Sequence, residues 1–201
     1  MSRPRQVSDE EILEAARACF LDDPNASTVT IAQRIGLSQA ALFKRFGTKL
    51  GLMLAAMGMK DGPPWIELAK QGPDDRPIPE QLLELGLAID GFFGWMIPRV
   101  AAMKAVGIGF RQMFGNARVP PPVRGYEALR DWFARGVTAG RIRPGDPSGL
   151  AISFLGMFQG RAFWRHATAG YPDAPFPDDA AYVQHVVDLF WRGVVPEGDE
   201  P

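Results

Sequence analysis

A glycine set between two short amphipathic segments constrains this chain more than any other feature. In "STVTIAQRIGLSQAALFKRFGTK", Ser27 caps a segment whose apolar positions are Thr28 or Val29, Ile31, Ala32 and Ile35, and Gly36 permits the left-handed backbone that closes it. Two residues later Ser38 caps "QAALFKRF", with Leu42, Phe43 and Phe46 as inward positions. Thr48 then caps a further helix carrying Leu50, Leu52, Met53, Leu54 and Met57, which "DGPP" stops. Helices this short do not persist alone in water, so they must fold against a neighbour. A glycine two residues ahead of a cap makes the corner of a helix-turn-helix.

The neighbour lies upstream. Ser8 begins a capping box with Glu11, Asp9 and Glu10 complement the helix dipole, and Ile12, Ala15, Ala16, Cys19 and Phe20 recur at helical spacing, predicting a helix from about Asp9 to Leu21. "DDPNAS" ends it with turn formers, and Asn25 is expected to make the turn.

On the third helix Gln39, Ala40, Ala41, Lys44 and Arg45 form the outward set. Small residues there let a backbone approach base edges, Gln pairs with adenine, and cations meet phosphates. The net charge of -1 gives no basic coat, but residues 33 to 60 carry Arg34, Lys44, Arg45, Lys49 and Lys60 and no acid. That segregation is the footprint a polyanion requires.

The stretch resembles the helix-turn-helix of TetR-family transcriptional regulators, I-A-x-x-x-G-[VL]-S-x-x-x-[LI]-[YF]-x-x-F-x-x-K, on Ile31, Ala32, Gly36, Leu37, Ser38, Leu42, Phe43, Phe46 and Lys49. The resemblance covers about residues 8 to 54, with "ILEAARACF" as the preceding helix. It implies that Ser38, Gln39, Ala40 and Ala41 face bases, and that Lys44 and Arg45 meet phosphates or bases. Thr48 and Lys49 would clamp one phosphate, and Ser27 and Thr28 would hold the opposite wall. Phe43 stands where the family usually has Tyr, so it brings packing without a hydroxyl. Arg3 and Arg5 are equally a flexible minor-groove arm or a plain polar terminus, and Arg34 is a solvated charge.

The rest reads as helices at about 79–97, 98–114, 121–139, 147–168 and 178–194 between Pro-rich breaks, with Pro98 kinking one helix or starting another. The fold class is all-α, with no repeat and no alternating strand. The expected division is a DNA-binding head over residues 1–54 and a regulatory, ligand-binding and dimerisation body over residues 55–201. Asp90, Phe93, Met96, Phe110, Met113, Phe114, Trp132 and Phe158 are the candidate lining of an apolar ligand site, with Gln112 and Gln159 as polar anchors. The competing reading pairs Asp90 with Arg99, Arg111 or Arg161. On the last helix Val183, Val186, Val187, Phe190 and Val194 form one face and Tyr182, His185 and Leu189 another. With Gly156 and Gly160 on the helix before, they predict a four-helix homodimer interface, matching a palindromic operator in double-stranded DNA.

Other classes are disfavoured. His166 and His185 give no two-histidine metal site, and neither a nucleophile elbow nor a phosphate loop is present. No enzyme activity, cofactor or metal is therefore expected. The rival is a helical binding or scaffold protein without operator contact. The charge-free stretch from Pro147 to Gly160 falls short of the roughly 20 residues that span a bilayer, and "MSRPRQVSDEEI" lacks a signal core. With the lone Cys19, these features predict a cytoplasmic protein without a membrane span.

Overall fold

The computed structural model describes residues 7–58, 62–115, 117–171 and 178–196, and these are helical with no strand. Helix α1 (Asp9–Asp22) opens on a closed capping box: the Ser8 hydroxyl accepts from the Glu11 N–H at 3.1 Å, and the Glu11 carboxylate accepts from the Ser8 N–H at 2.8 Å. Helices α2 (Thr28–Arg34), α3 (Gln39–Phe46) and α4 (Lys49–Met57) begin on Ser27, Ser38 and Thr48, whose hydroxyls accept from the N–H groups of Thr30, Ala41 and Gly51. Each such cap contributes about 1 kcal/mol. Asn25 turns the α1–α2 connection, its N–H donating to Asp23 Oδ1 at 2.8 Å.

Downstream lie α5 (Trp65–Gln71), α6 (Ile78–Ala105), α7 (Phe110–Phe114), α8 (Pro121–Thr138), α9 (Pro147–Ala167) and α10 (Asp179–Val194). Two features depart from the sequence expectation. Helix α5 is absent from it, because seven residues between a Pro pair and Gly72 carry too little periodicity to read. It is held from outside: buried Trp65 donates from Nε1 to Gly125 O at 3.1 Å, and the Arg135 Nε donates to Gly72 O at 2.9 Å beyond its last turn. Helix α6 runs for 28 residues with Pro98 inside it, the long-helix alternative of the two the sequence leaves open, and departs only from the expected boundary at 97–98. Losing one i→i−4 bond does not end a helix whose neighbouring turns are intact. The break comes instead at Gly107, whose φ of 80° no helix accommodates, so the expected segment 98–114 is shared between the end of α6 and α7.

The chain forms two compact units, Met1–Asp61 with Pro98–Asn116 and Gly62–Ile97 with Ala117–Pro201. The first buries Ile12, Ala16, Cys19 and Phe20 of α1, Ile31 and Ala32 of α2, Leu42 of α3, and Leu52, Met53, Ala56 and Met57 of α4. Arg17 on α1 donates from Nε to Ala56 O at 2.8 Å, tying α1 to the last turn of α4. Fully burying a Leu, Ile or Phe contributes roughly 1.5–3 kcal/mol.

The second unit has an aromatic centre: Phe133, Phe154 and Phe190 meet pairwise with ring centroids 5.0–6.1 Å apart, and Phe158 stacks edge-on against Phe154. Through it runs a polar seam. Asp90 of α6 accepts from Arg161 Nη1 of α9 at 2.9 and 3.0 Å, and the same guanidinium donates to Asp179 at the start of α10 and lies 4.5 Å from the Tyr182 ring. Burial pushes the Asp90 carboxyl above the ordinary carboxylate range, whereas the bond from Arg161 holds Asp179 below it. By length and composition α6 is apolar enough to cross a bilayer, yet Leu82, Leu85, Ile89 and Phe93 are buried in the core and Asp90 is paired.

Removing one partner of a buried pair strands the other charge. Arg161→Met should therefore lower unfolding stability by about 3–5 kcal/mol, read by urea denaturation at fixed protein concentration. The double variant Asp90→Leu with Arg161→Met should recover much of that loss.

Candidate nucleic-acid interface

Helix α3 packs on α2 and α4, yet it has a single buried side chain, Leu42, at 1% exposure. Ala41 and Phe46 are half-buried, and Gln39, Ala40, Phe43, Lys44 and Arg45 are exposed. Phe43 corrects the expectation of an inward ring. At eight residues α3 presents only a narrow inner stripe, Leu42 occupies it, and Phe43 lies one step round the helix with 39% of its surface exposed.

Several of the polar candidates are held by the fold. Gln39 Nε2 donates to Thr28 Oγ1 at 2.7 Å, and Thr28 is itself 5% exposed, so Thr28 anchors the reading helix to α2 from beneath. Arg45 Nη1 donates to Val7 O at 2.8 Å and to Asp9 at 3.1 Å. The acids of α1 precede the basic window in sequence, and folding returns one of them to its edge. Lys49 Nζ donates to Asn25 O at 2.8 Å and stands 6.0 Å from the Phe20 ring, which places the ammonium where the α1–α2 turn meets the start of α4. Ser27, Ser38 and Thr48 spend their hydroxyls on caps, and Ser27 also bonds Thr30. Arg34 reaches back to Cys19 Sγ at 3.5 Å. Arg3 and Arg5 lie outside the described residues.

The arrangement presents an exposed helix with small residues at its amino end, cations in its last turn and capped helix starts on either flank. That geometry suits insertion into a major groove with phosphates to both sides.

The proposed ligand lining is divided between the two units. Asp90, Phe93, Met96, Trp132 and Phe158 belong to the second, and Phe110, Met113 and Phe114 to the first. Trp132 and Phe158 are core residues at 1% and 0% exposure, while Phe110 is 58% exposed and stacks on Phe114. Asp90 has Arg161 as its partner, in line with the competing reading of that residue. A groove of about 550 Å³ lies between α5 and α8 and is lined by none of these eight. Its charged residues include Glu67, Lys70, Arg124 and Asp131, two of them paired as Lys70–Glu67.

The α9 face expected from Gly156 carries exposed apolar residues that the sequence expectation does not name. Ile152, Gly156, Gln159 and Phe163 share one face, and Ile152, Phe163 and Trp164 are 59%, 53% and 60% exposed. Its signal in the sequence is helical spacing that runs through the charge-free stretch and past Arg161.

Two family models match the chain. One describes bacterial regulatory proteins of the tetR family and covers residues 12–56. The other describes the C-terminal domain of AefR-like transcriptional repressors and covers residues 113–193, so together they span more than half of the sequence.

The chain belongs to the TetR family.

Within that family it is similar to the HTH-type transcriptional repressor BdcR of Escherichia coli K12, 31% identical over 85 residues. The match takes in 41% of this chain and 43% of BdcR, so the chain spans less than half the length of that relative. The TetR-family regulator PfmR of Thermus thermophilus has the same fold, with a TM-score of 0.67 and 25% identity over 90% of this chain and 97% of PfmR. NalD of Pseudomonas aeruginosa, the secondary repressor of the MexAB-OprM efflux pump, shares the fold with a TM-score of 0.61 at 20% identity, covering 92% and 94% of the two chains. SmeT in complex with triclosan does so at 0.62 and 18%, covering 94% and 92%.

Because Gly36 holds φ at 70° between α2 and α3, a side chain there is strained even though open space surrounds it. Gly36→Ala should destabilise the head by roughly 1–2 kcal/mol, seen as a lower thermal midpoint.

Proposed function

We propose that this TetR-family protein is a cytoplasmic, homodimeric transcriptional repressor that binds a palindromic operator in double-stranded DNA and is released by a small apolar or amphipathic ligand. The observation that carries it is the outward face of α3, on which Gln39, Ala40, Phe43, Lys44 and Arg45 are exposed. Residues 1–54 serve as the DNA-binding head and residues 55–201 as the regulatory body. Gln39, Ala40 and Ala41 approach base edges from the helix start that Ser38 caps, with Phe43 on the same outward face. Lys44, Thr48, Lys49 and Ser27 set the helix against the phosphates, with Arg45 at its edge beside Asp9 and buried Thr28 contributing as the anchor of Gln39. Repression takes its support from the BdcR match and from the repressor model on residues 113–193.

The dimer is proposed on α9 and α10. Val183, Val186, Val187 and Val194 fill the protomer's own core with Phe190, and Tyr182 bonds Met157 O. His185 and Leu189 remain exposed on α10, as do Ile152, Gln159 and Phe163 on α9. A Cβ added at Gly156 or Gly160 would touch nothing, so this stretch of α9 is open to close approach by a second helix. Apolar stripes of this kind favour a covered state.

For the ligand, the supporting feature is the cluster of Trp65, Phe92, Phe93 and Trp95, whose neighbouring ring centroids lie 5.1–6.0 Å apart, with half-buried Met96 beside it. The triclosan complex of SmeT supports an apolar aromatic class. Release follows if the ligand binds preferentially a conformation whose two recognition helices no longer match successive grooves. The loss of operator affinity then equals that differential binding.

The test is selection of bound fragments from random duplex, followed by titration at several salt concentrations. Lys44→Ala should weaken all duplexes alike and reduce the log–log salt slope by about 0.9, whereas Gln39→Ala should lose roughly 1–3 kcal/mol more on the selected site than on other duplexes. Absence of any selected sequence supports the scaffold reading instead. Leu189→Glu should yield a helical monomer by light scattering, with affinity reduced to that of a single half-site.

A further inference from the structure

Resting on the proposed DNA binding, the exposed face of α3 also indicates which base edges it reads. Along it Ala40, Phe43 and Lys44 follow one another at i, i+3 and i+4, the spacing of one helix face. Its polar members are constrained: the Gln39 amide is bonded to Thr28, and Arg45 is turned aside to Val7 O and Asp9. The exposed members not bonded to the rest of the fold are a methyl group, a phenyl ring and an ammonium. No acid occurs between residues 33 and 60 to oppose a polyanion.

An aromatic ring pressed on a groove floor displaces water from whatever it covers. Over the amino or carbonyl edge of a G·C pair, this removes hydrogen bonds and returns none, which is costly. The major groove holds one apolar protrusion among the standard bases, the 5-methyl group of thymine. A face of Ala and Phe matches that group and repels the polar alternatives, while Lys44 is placed for the phosphate alongside. The identity of residue 43 decides this: a phenol there would hold its own polar partner, whereas Phe43 offers only carbon.

We propose that Ala40 and Phe43 are specificity-determining residues that read thymine 5-methyl groups, so that each operator half-site presents thymines to them in the major groove. Burial of each methyl is expected to change affinity about fourfold.

The experiment uses the full-length protein and the duplex obtained by selection, with each thymine replaced singly by deoxyuridine, which removes the methyl and keeps the pairing. Wild-type protein should lose about fourfold in affinity at two positions per half-site and change little elsewhere, with the salt slope unaltered because no phosphate contact is lost. Phe43→Ala should bind the thymine and uracil duplexes equally at one of those positions and still distinguish them at the other. Sequence-specific binding that is indifferent to every thymine-to-uracil replacement would overturn the inference and leave the DNA-binding reading standing. Failure to select any sequence overturns both. Because the uracil series is read on wild-type protein, the proposal remains testable even if Phe43→Ala does not fold.

Discussion

One buried side chain holds the reading helix in place. Leu42 is the sole member of α3 inside the core of the first unit, and the helix around it is eight residues long, below the length at which a helix persists in water. Everything α3 offers to solvent depends on that anchor, on the Ser38 cap and on the glycine corner before it. The Gln39 bond to Thr28 adds a polar fastening at the amino end. Rigidity of this kind is what base reading requires, since a contact presented by a fluctuating helix loses to entropy what it gains in hydrogen bonds.

The second unit is organised differently. Its aromatic centre packs without directional bonds, whereas the Asp90–Arg161–Asp179 seam ties α6, α9 and α10 at fixed points. A buried pair adds little net stability against an apolar replacement, and its effect lies in penalising misregistered packings that separate the charges. Two of the helices fixed by this seam, α9 and α10, are those whose outer faces expose Ile152, Phe163, Trp164 and Leu189. The seam therefore sets the surface on which the proposed dimer is built.

Where structure departs from sequence expectation, the cause is in most cases a contact distant along the chain. Helix α5 exists because Gly125 and Arg135, more than fifty residues away, receive it. Helix α6 outlasts Pro98 because its apolar positions continue on both sides of the proline. Arg45 reads as a free cation in its own window, and Asp9 reaches it only after α1 folds back. Of the eight residues placed in a ligand site, seven are apolar at helical spacing, which does not distinguish one unit from another, and the fold divides the set.

The caps, the corner glycines, the buried positions Ile12, Ala16, Cys19, Phe20, Ile31, Ala32 and Leu42, and the all-helical class were determined by the sequence alone. Each rests on interactions spanning no more than four residues, such as a hydroxyl and an N–H three positions on, or a backbone angle that only glycine takes without strain. The outward turn of Phe43, the pairing of Asp90 with Arg161, the fastening of Gln39 and the boundary between the units were decided by tertiary structure. Those outcomes depend on which helices compete for the same space, and chain separation hides that competition until the helices are packed.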